Sequence, residues 1–104
     1  MKQLTSSDSL DELLSQHTFS LLYFSASWCG PCKSMSPIVE GLSGMMNDCF
    51  NTIKVDIDSL PNFATDYGIR SVPTLMLVKN GDIIDQRIGG LSPQQLMQWL
   101  EQHT

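Results

Sequence analysis

The stretch YFSASWCGPCKSM, residues 23–35, places two cysteines on either side of Gly30-Pro31. It follows an apolar run and leads into a segment with helical spacing. Cys29 therefore ends the loop after a buried strand, and Cys32 falls in the first turn of a helix. The Cys29 sulfur then faces unpaired backbone N–H groups at a helix N-terminus, which favour thiolate over thiol. A thiolate is the species that attacks a disulfide, and a second sulfur three residues on is close enough to attack in turn. Gly30-Pro31 makes the tight turn, and Pro31 loses nothing by lacking an N–H where that donor has no helical partner. The arrangement calls for a Cys29 sulfur that is acidic and open to solvent.

Outward from this stretch the chain alternates. FSLLYFSA (19–26) is a continuous apolar run, as in a strand covered on both faces. Met35, Ile38, Val39, Leu42 and Met45 predict a helix over 32–46, kinked by Pro37 and weakened by Gly41 and Gly44. Upstream, Leu4 ends a short strand. Ser9 and Glu12 suit a capping box for a helix that turns Leu10, Leu13 and Leu14 inward. Downstream, Ile53, Val55 and Ile57 alternate in a strand over 52–58, and a short helix over 60–66 ends near Gly68. TLMLV (74–78) is a second buried strand, and Asn80-Gly81 turns the chain into a strand over 83–88. Ser92-Pro93-Gln94-Gln95 supplies an N-cap, a first-turn proline and a glutamine at N3, ahead of core-facing Leu96, Met97, Trp99 and Leu100. The order β-α-β-α-β-α-β-β-α implies the α/β class: a mixed central sheet with helices on both faces, in a single domain over 1–104. The six methionines fall mostly in helical stripes and read as core.

Composition removes several function classes. With 41% hydrophobic and 16% charged residues the chain is not disordered. A net charge of -5, with six scattered basic residues, makes nucleic acid and anionic membranes poor partners. Its longest apolar run is too short to span a bilayer. The opening MKQLTSSDSLDELLSQ lacks the basic and apolar regions of a secretory signal, so a cytoplasmic location is expected. Three cysteines cannot all pair within the chain, and in a reducing compartment a close pair points to catalysis or metal binding. Zinc would need a second ligand pair, which Cys49, His17 and His103 do not form by spacing, so no metal or other cofactor is expected. A structural disulfide across so short a loop gains little entropy. A Cys–His hydrolase lacks a histidine near the pair. Cys49 reads as a small buried hydrophobe.

SWCGPCK (27–33) resembles the active-site signature of the thioredoxin family. KVDID (54–58), YGIRSVPTLMLVKNGD (67–82), GGLS (89–92) and the helix-kinking Pro37 extend the resemblance over nearly the whole chain. It implies the thioredoxin fold and a reductase of protein disulfides, with Cys29 as nucleophile and Cys32 as resolving thiol. It further implies a thioredoxin reductase as electron donor, disulfide-containing client proteins as substrates, and a monomer. It implies a cis Val72-Pro73 bond beside the sulfurs, with Gly30, Pro31 and Pro73 supporting the chemistry. A flat apolar docking surface would comprise Trp28, Gly30, Pro31, Ile57, Val72, Pro73, Ile88 and Gly89.

The chain departs from the family at Tyr23. Most thioredoxins carry a buried Asp six residues before the first cysteine, near a lysine matched here by Lys54, and that Asp helps deprotonate the second cysteine. A tyrosine, with an ordinary pKa near 10, is a neutral hydrogen-bond donor and no base near neutral pH. Activation of Cys32 then falls to Lys54, water or the leaving thiolate. The plainer alternatives are that Tyr23 fills space and that Lys54 is a solvated strand lysine. Ser71, before Val72-Pro73, stands where many members carry Gly. Rival functions are the same fold run as an oxidase or isomerase, and a non-catalytic module binding through the Trp28–Pro73 surface.

Overall fold

The chain runs β1 (Lys2–Gln3), α1 (Leu10–Ser15), β2 (Phe19–Ser25), α2 (Gly30–Met45), β3 (Phe50–Asp56), α3 (Pro61–Asp66), β4 (Thr74–Lys79), β5 (Asp82–Ile88) and α4 (Pro93–Glu101) in a computed structural model. The structure describes residues 1–46 and 50–104. Cys49 therefore lies outside the described residues. The element order is the expected one.

The strands form one sheet in the order β1-β3-β2-β4-β5. β1, β3 and β2 are parallel, while β4 runs antiparallel to both β2 and β5. β2 is central and buried almost throughout, which is why its sequence shows no polar alternation. Its side chains still divide between two faces. Leu21 and Tyr23 pack with Met35, Val39 and Leu42 of α2 and with Leu96, Trp99 and Leu100 of α4. Leu22 and Phe24 pack on the opposite face with Leu10 and Leu14 of α1 and with Leu60 at the head of α3. Two apolar cores thus clamp one sheet.

Local chemistry sets the element ends. Ser92 Oγ accepts from Gln95 N (3.1 Å), and Gln95 Oε1 accepts from Ser92 N (2.9 Å), completing the capping box of α4. Ser9 Oγ accepts from Glu12 N (3.3 Å) at α1. Asn80 and Gly81 both have positive φ, 52° and 87°, the backbone that a two-residue hairpin between right-twisted strands requires. In the β4–β5 ladder Leu77 pairs with Asp85 but Val78 with Ile83, so Ile84 is an extra residue, a bulge.

Three expectations shift. α2 begins at Gly30, two residues early, because Cys29 itself is the N-cap. β3 covers 50–56, not 52–58: pairing starts at Phe19 opposite Phe50, and Asp56 Oδ1 ends the strand by accepting from Asp58 N (2.9 Å). Met45 continues the helical stripe but is 77% exposed, since α2 ends there and its last turn leaves the core.

Candidate active site

Cys29 occupies the N-cap of α2 with extended backbone (φ -85°, ψ 113°), and Pro31 sits in the first turn. The two cysteines form a disulfide, with Cα atoms 5.2 Å apart. The Cys32 N–H donates to Cys29 Sγ at 3.1 Å. Sulfur here takes the part that Ser or Asp oxygen plays at ordinary helix starts, satisfying one of the orphan donors. In the reduced protein the same N–H, with the helix dipole behind it, stabilises negative charge on Cys29. On its other side the Cys29 Sγ lies 3.6 Å from the Val72 carbonyl oxygen, and the Val72-Pro73 bond is cis.

The expected solvent-open sulfur is not what the structure shows: Cys29 is only 4% exposed, and Cys32 is buried as well. The reason is packing. The oxidised pair joins Ala26 in a small apolar cluster, with Ile57 and Val72 laid against it. Exposure is carried instead by the chain neighbours Trp28, Gly30 and Pro31.

The remaining docking residues divide. Trp28 (67%) and Ile88 (63%) are exposed; Ile57, Val72 and Gly89 are half-buried. Pro73 is buried rather than presented, because it leads directly into β4. Its carbonyl accepts from Gly89 N (2.9 Å), and Gly89 has φ 94°, a backbone that favours glycine. This bond ties the 88–89 segment to the proline loop. Trp28 is anchored by a residue that sequence reasoning missed: its Nε1 donates to Asp58 Oδ1 at 3.1 Å. Ser71 is exposed, and its carbonyl accepts from Thr74 Oγ1 (2.7 Å).

Tyr23 is fully buried and fills the core beneath α2, as the plainer reading expects. Its hydroxyl does more. The oxygen lies 3.0 Å from the Cys32 carbonyl oxygen, to which it donates, and 2.9 Å from Ser36 Oγ. Ser36 Oγ in turn donates to the Cys32 carbonyl at 2.8 Å. Burial raises the Tyr23 hydroxyl above its ordinary pKa, against a smaller opposing effect of Ser36, so the group stays neutral. Lys54 is the β3 partner of Tyr23 in the sheet register and is half-buried. It shares a cleft of about 170 Å³ with Cys32, Lys33, Ser36 and Asp56. Tyr23 and Lys54 thus both come to Cys32. Neither histidine does: His103 Nε2 bonds Asp85 Oδ2 (2.8 Å), and His17 lines a separate hollow with Asp11 and Asn80. Among the described residues no group of three or more His, Cys, Asp or Glu could hold a metal ion.

A family model described as Thioredoxin matches residues 1–102. The chain is 39% identical over 97 residues to a thioredoxin of Rickettsia felis, covering 93% of this chain and 92% of that one. It is 38% identical over 101 residues to thioredoxin 1 of a Nostoc species, covering 97% and 94%. Among solved structures it superposes on Plasmodium falciparum thioredoxin with a TM-score of 0.89 at 33% identity, covering 100% of both chains. A mutant thioredoxin from Halobacterium salinarum gives 0.89 at 31% identity, covering 99% of this chain and 89% of that one. Among the described residues no helix is long and apolar enough to cross a membrane.

Proposed function

The chain belongs to the thioredoxin family, and from that premise we propose that Cys29 acts as its nucleophile and Cys32 as its resolving thiol. The protein is a thiol–disulfide oxidoreductase acting on disulfide-containing substrates. In the reduced state the Cys29 thiolate attacks one sulfur of a substrate disulfide. The substrate S–S bond breaks, and the other sulfur leaves with the electron pair and takes up a proton. Cys32 then loses its proton to water or to the departing thiolate and attacks Cys29 Sγ. The Cys29–substrate bond breaks, and the second substrate sulfur leaves reduced. Two electrons and two protons pass to the substrate, and the Cys29–Cys32 disulfide remains.

One observation carries this reading: the Cys32 N–H aimed at Cys29 Sγ from 3.1 Å at the start of a 16-residue helix. It stabilises the attacking anion on Cys29 before reaction. Small changes in this stabilisation set direction, since about 30 mV between donor and acceptor couples corresponds to roughly 1.4 kcal/mol.

Protein disulfides are the proposed clients, docking across exposed Trp28, Gly30, Pro31 and Ile88, with Ile57, Val72 and Gly89 in support. Pro73 acts through its backbone. A thioredoxin reductase is the proposed electron donor, the cytoplasm the proposed location, and a monomer of one domain over 1–104 the proposed unit. Dithiol-driven reduction of a model disulfide protein tests the function. Wild type should turn over, and Cys29→Ser should lose at least a hundredfold. Equal rates in the two proteins would reject the assignment. Cys32→Ser should accumulate mixed disulfides with clients.

A further inference from the structure

We infer that Tyr23 and Ser36 are a positioning pair for the resolving cysteine, gripping the Cys32 carbonyl so that its flanking backbone keeps both its N–H and its thiol aimed at Cys29. The inference rests on the dithiol reading above and concerns how its second step is achieved without a carboxylate at position 23.

Three oxygens meet in one small triangle. Ser36 Oγ is 2.8 Å from the Cys32 carbonyl oxygen, Tyr23 Oη is 3.0 Å from it, and the two hydroxyls are 2.9 Å apart. Two hydroxyl protons serve this triangle. Ser36 and Tyr23 both donate to the carbonyl, so the buried phenol has a partner, as a fully buried hydroxyl requires.

Each half alone would be ordinary. A serine in a helix often bonds the carbonyl four residues back, and Ser36 does so just before Pro37, at a proline-disturbed part of α2. A buried tyrosine often finds a carbonyl. What is particular is the convergence. Tyr23 belongs to the central strand β2, so its bond ties the first turn of α2 to the most buried strand of the sheet.

Cys32 is thereby held at both ends. Its carbonyl is gripped by two hydroxyls, and its N–H is spent on Cys29 Sγ at 3.1 Å. In the resolving step Cys32 Sγ must approach the Cys29 sulfur along the Cys29–substrate bond. A backbone fixed on both sides shortens that search. Ser36 also lines the small cleft that Cys32 shares with Lys54. No proton transfer is asked of Tyr23 or Ser36; they orient.

The test separates the two steps. In a Cys49→Ser background, the reduced protein is mixed with one equivalent of 5,5′-dithiobis(2-nitrobenzoate). The first thionitrobenzoate released reports attack by Cys29, and the second reports resolution by Cys32. A parent protein without two phases would fail the dithiol reading itself, whatever the variants do. Given two phases, Tyr23→Phe and Ser36→Ala should each slow the second by about three- to tenfold, the range expected for loss of one hydrogen bond. The double variant should be no slower than the slower single one, because the hydroxyls act together. Ser36→Thr, which keeps the hydroxyl, should stay within twofold of the parent. Tyr23→Phe and Ser36→Ala each delete a single oxygen, and thermal melting checks that they fold. An unchanged second phase in either single variant, additive slowing in the double, or a Ser36→Thr as slow as Ser36→Ala would overturn the inference.

Discussion

Tyr23 brings no charge into the core. Burial raises its hydroxyl above the ordinary value near 10, so the native protein holds this proton more tightly than the unfolded chain does. Its stabilising effect is therefore complete below about pH 10 and is lost only as pH rises through the folded value. Near neutrality it is silent, unlike a buried carboxylate. Trp28 is the opposite kind of residue: large, exposed, and held by a single bond to Asp58. Trp28→Ala should raise KM for a protein disulfide by about tenfold, as loss of an aromatic anchor does, while urea denaturation shows stability changed by less than about 0.5 kcal/mol. The cysteines were legible from their spacing alone, and Tyr23 from the resemblance, since it stands where most family members carry Asp. Ser36 and Asp58 were not: Tyr23 and Trp28, which they meet, are brought to them only by the fold, and a serine before a proline or an acid in a loop has ordinary local explanations. The burial of Cys29 was equally hidden, since it depends on Ile57 and Val72, which come from distant parts of the chain.

The elements show the same division. The start of α4 was readable to the residue, because Ser92, Pro93 and Gln95 are a self-contained start signal. β3 was misplaced by two residues, because polar Asn51 and buried Thr52 pair with β2 although the apolar alternation begins at Ile53. Nothing local announces the junction of β5 with α4. There Asp85 of β5 accepts from Trp99 Nε1 (2.8 Å), meets His103 Nε2 (2.8 Å), and takes Arg87 Nη1 at 3.1 Å from either oxygen. These donors, Trp99 first, hold its carboxyl well below the usual carboxylate range. A lowered value means that the native state holds this proton less tightly than the unfolded chain. The stabilisation is thus present above about pH 4 and drains as pH falls towards the folded value. Asp85→Asn should therefore lose stability at pH 7, while showing a smaller further loss between pH 4 and 2 than the parent, in urea midpoints taken across that range.

At the scale of the whole molecule, two cores share one sheet, and α2 and α4 lie on one face with α1 and α3 on the other. Neither face can be covered without the sheet that backs the other, so the chain should unfold as one unit. The two tryptophans offer a check. Trp28→Phe leaves buried Trp99 as the sole indole. Its fluorescence and far-ultraviolet circular dichroism should then give the same urea midpoint, and two separated transitions would argue against a single cooperative domain. The outermost strand carries a further meaning. β5 turns Ile83, Ile84 and Ile88 towards water along a border where no further strand follows. A straight, oily border of that kind is a template on which fibrils grow. The slip at Ile84 breaks the evenness of its hydrogen-bond row, and Asp82, Asp85 and Arg87 scatter charge along it. The same bulge that looks like an irregularity thus makes the border a poorer template for a second copy of the chain.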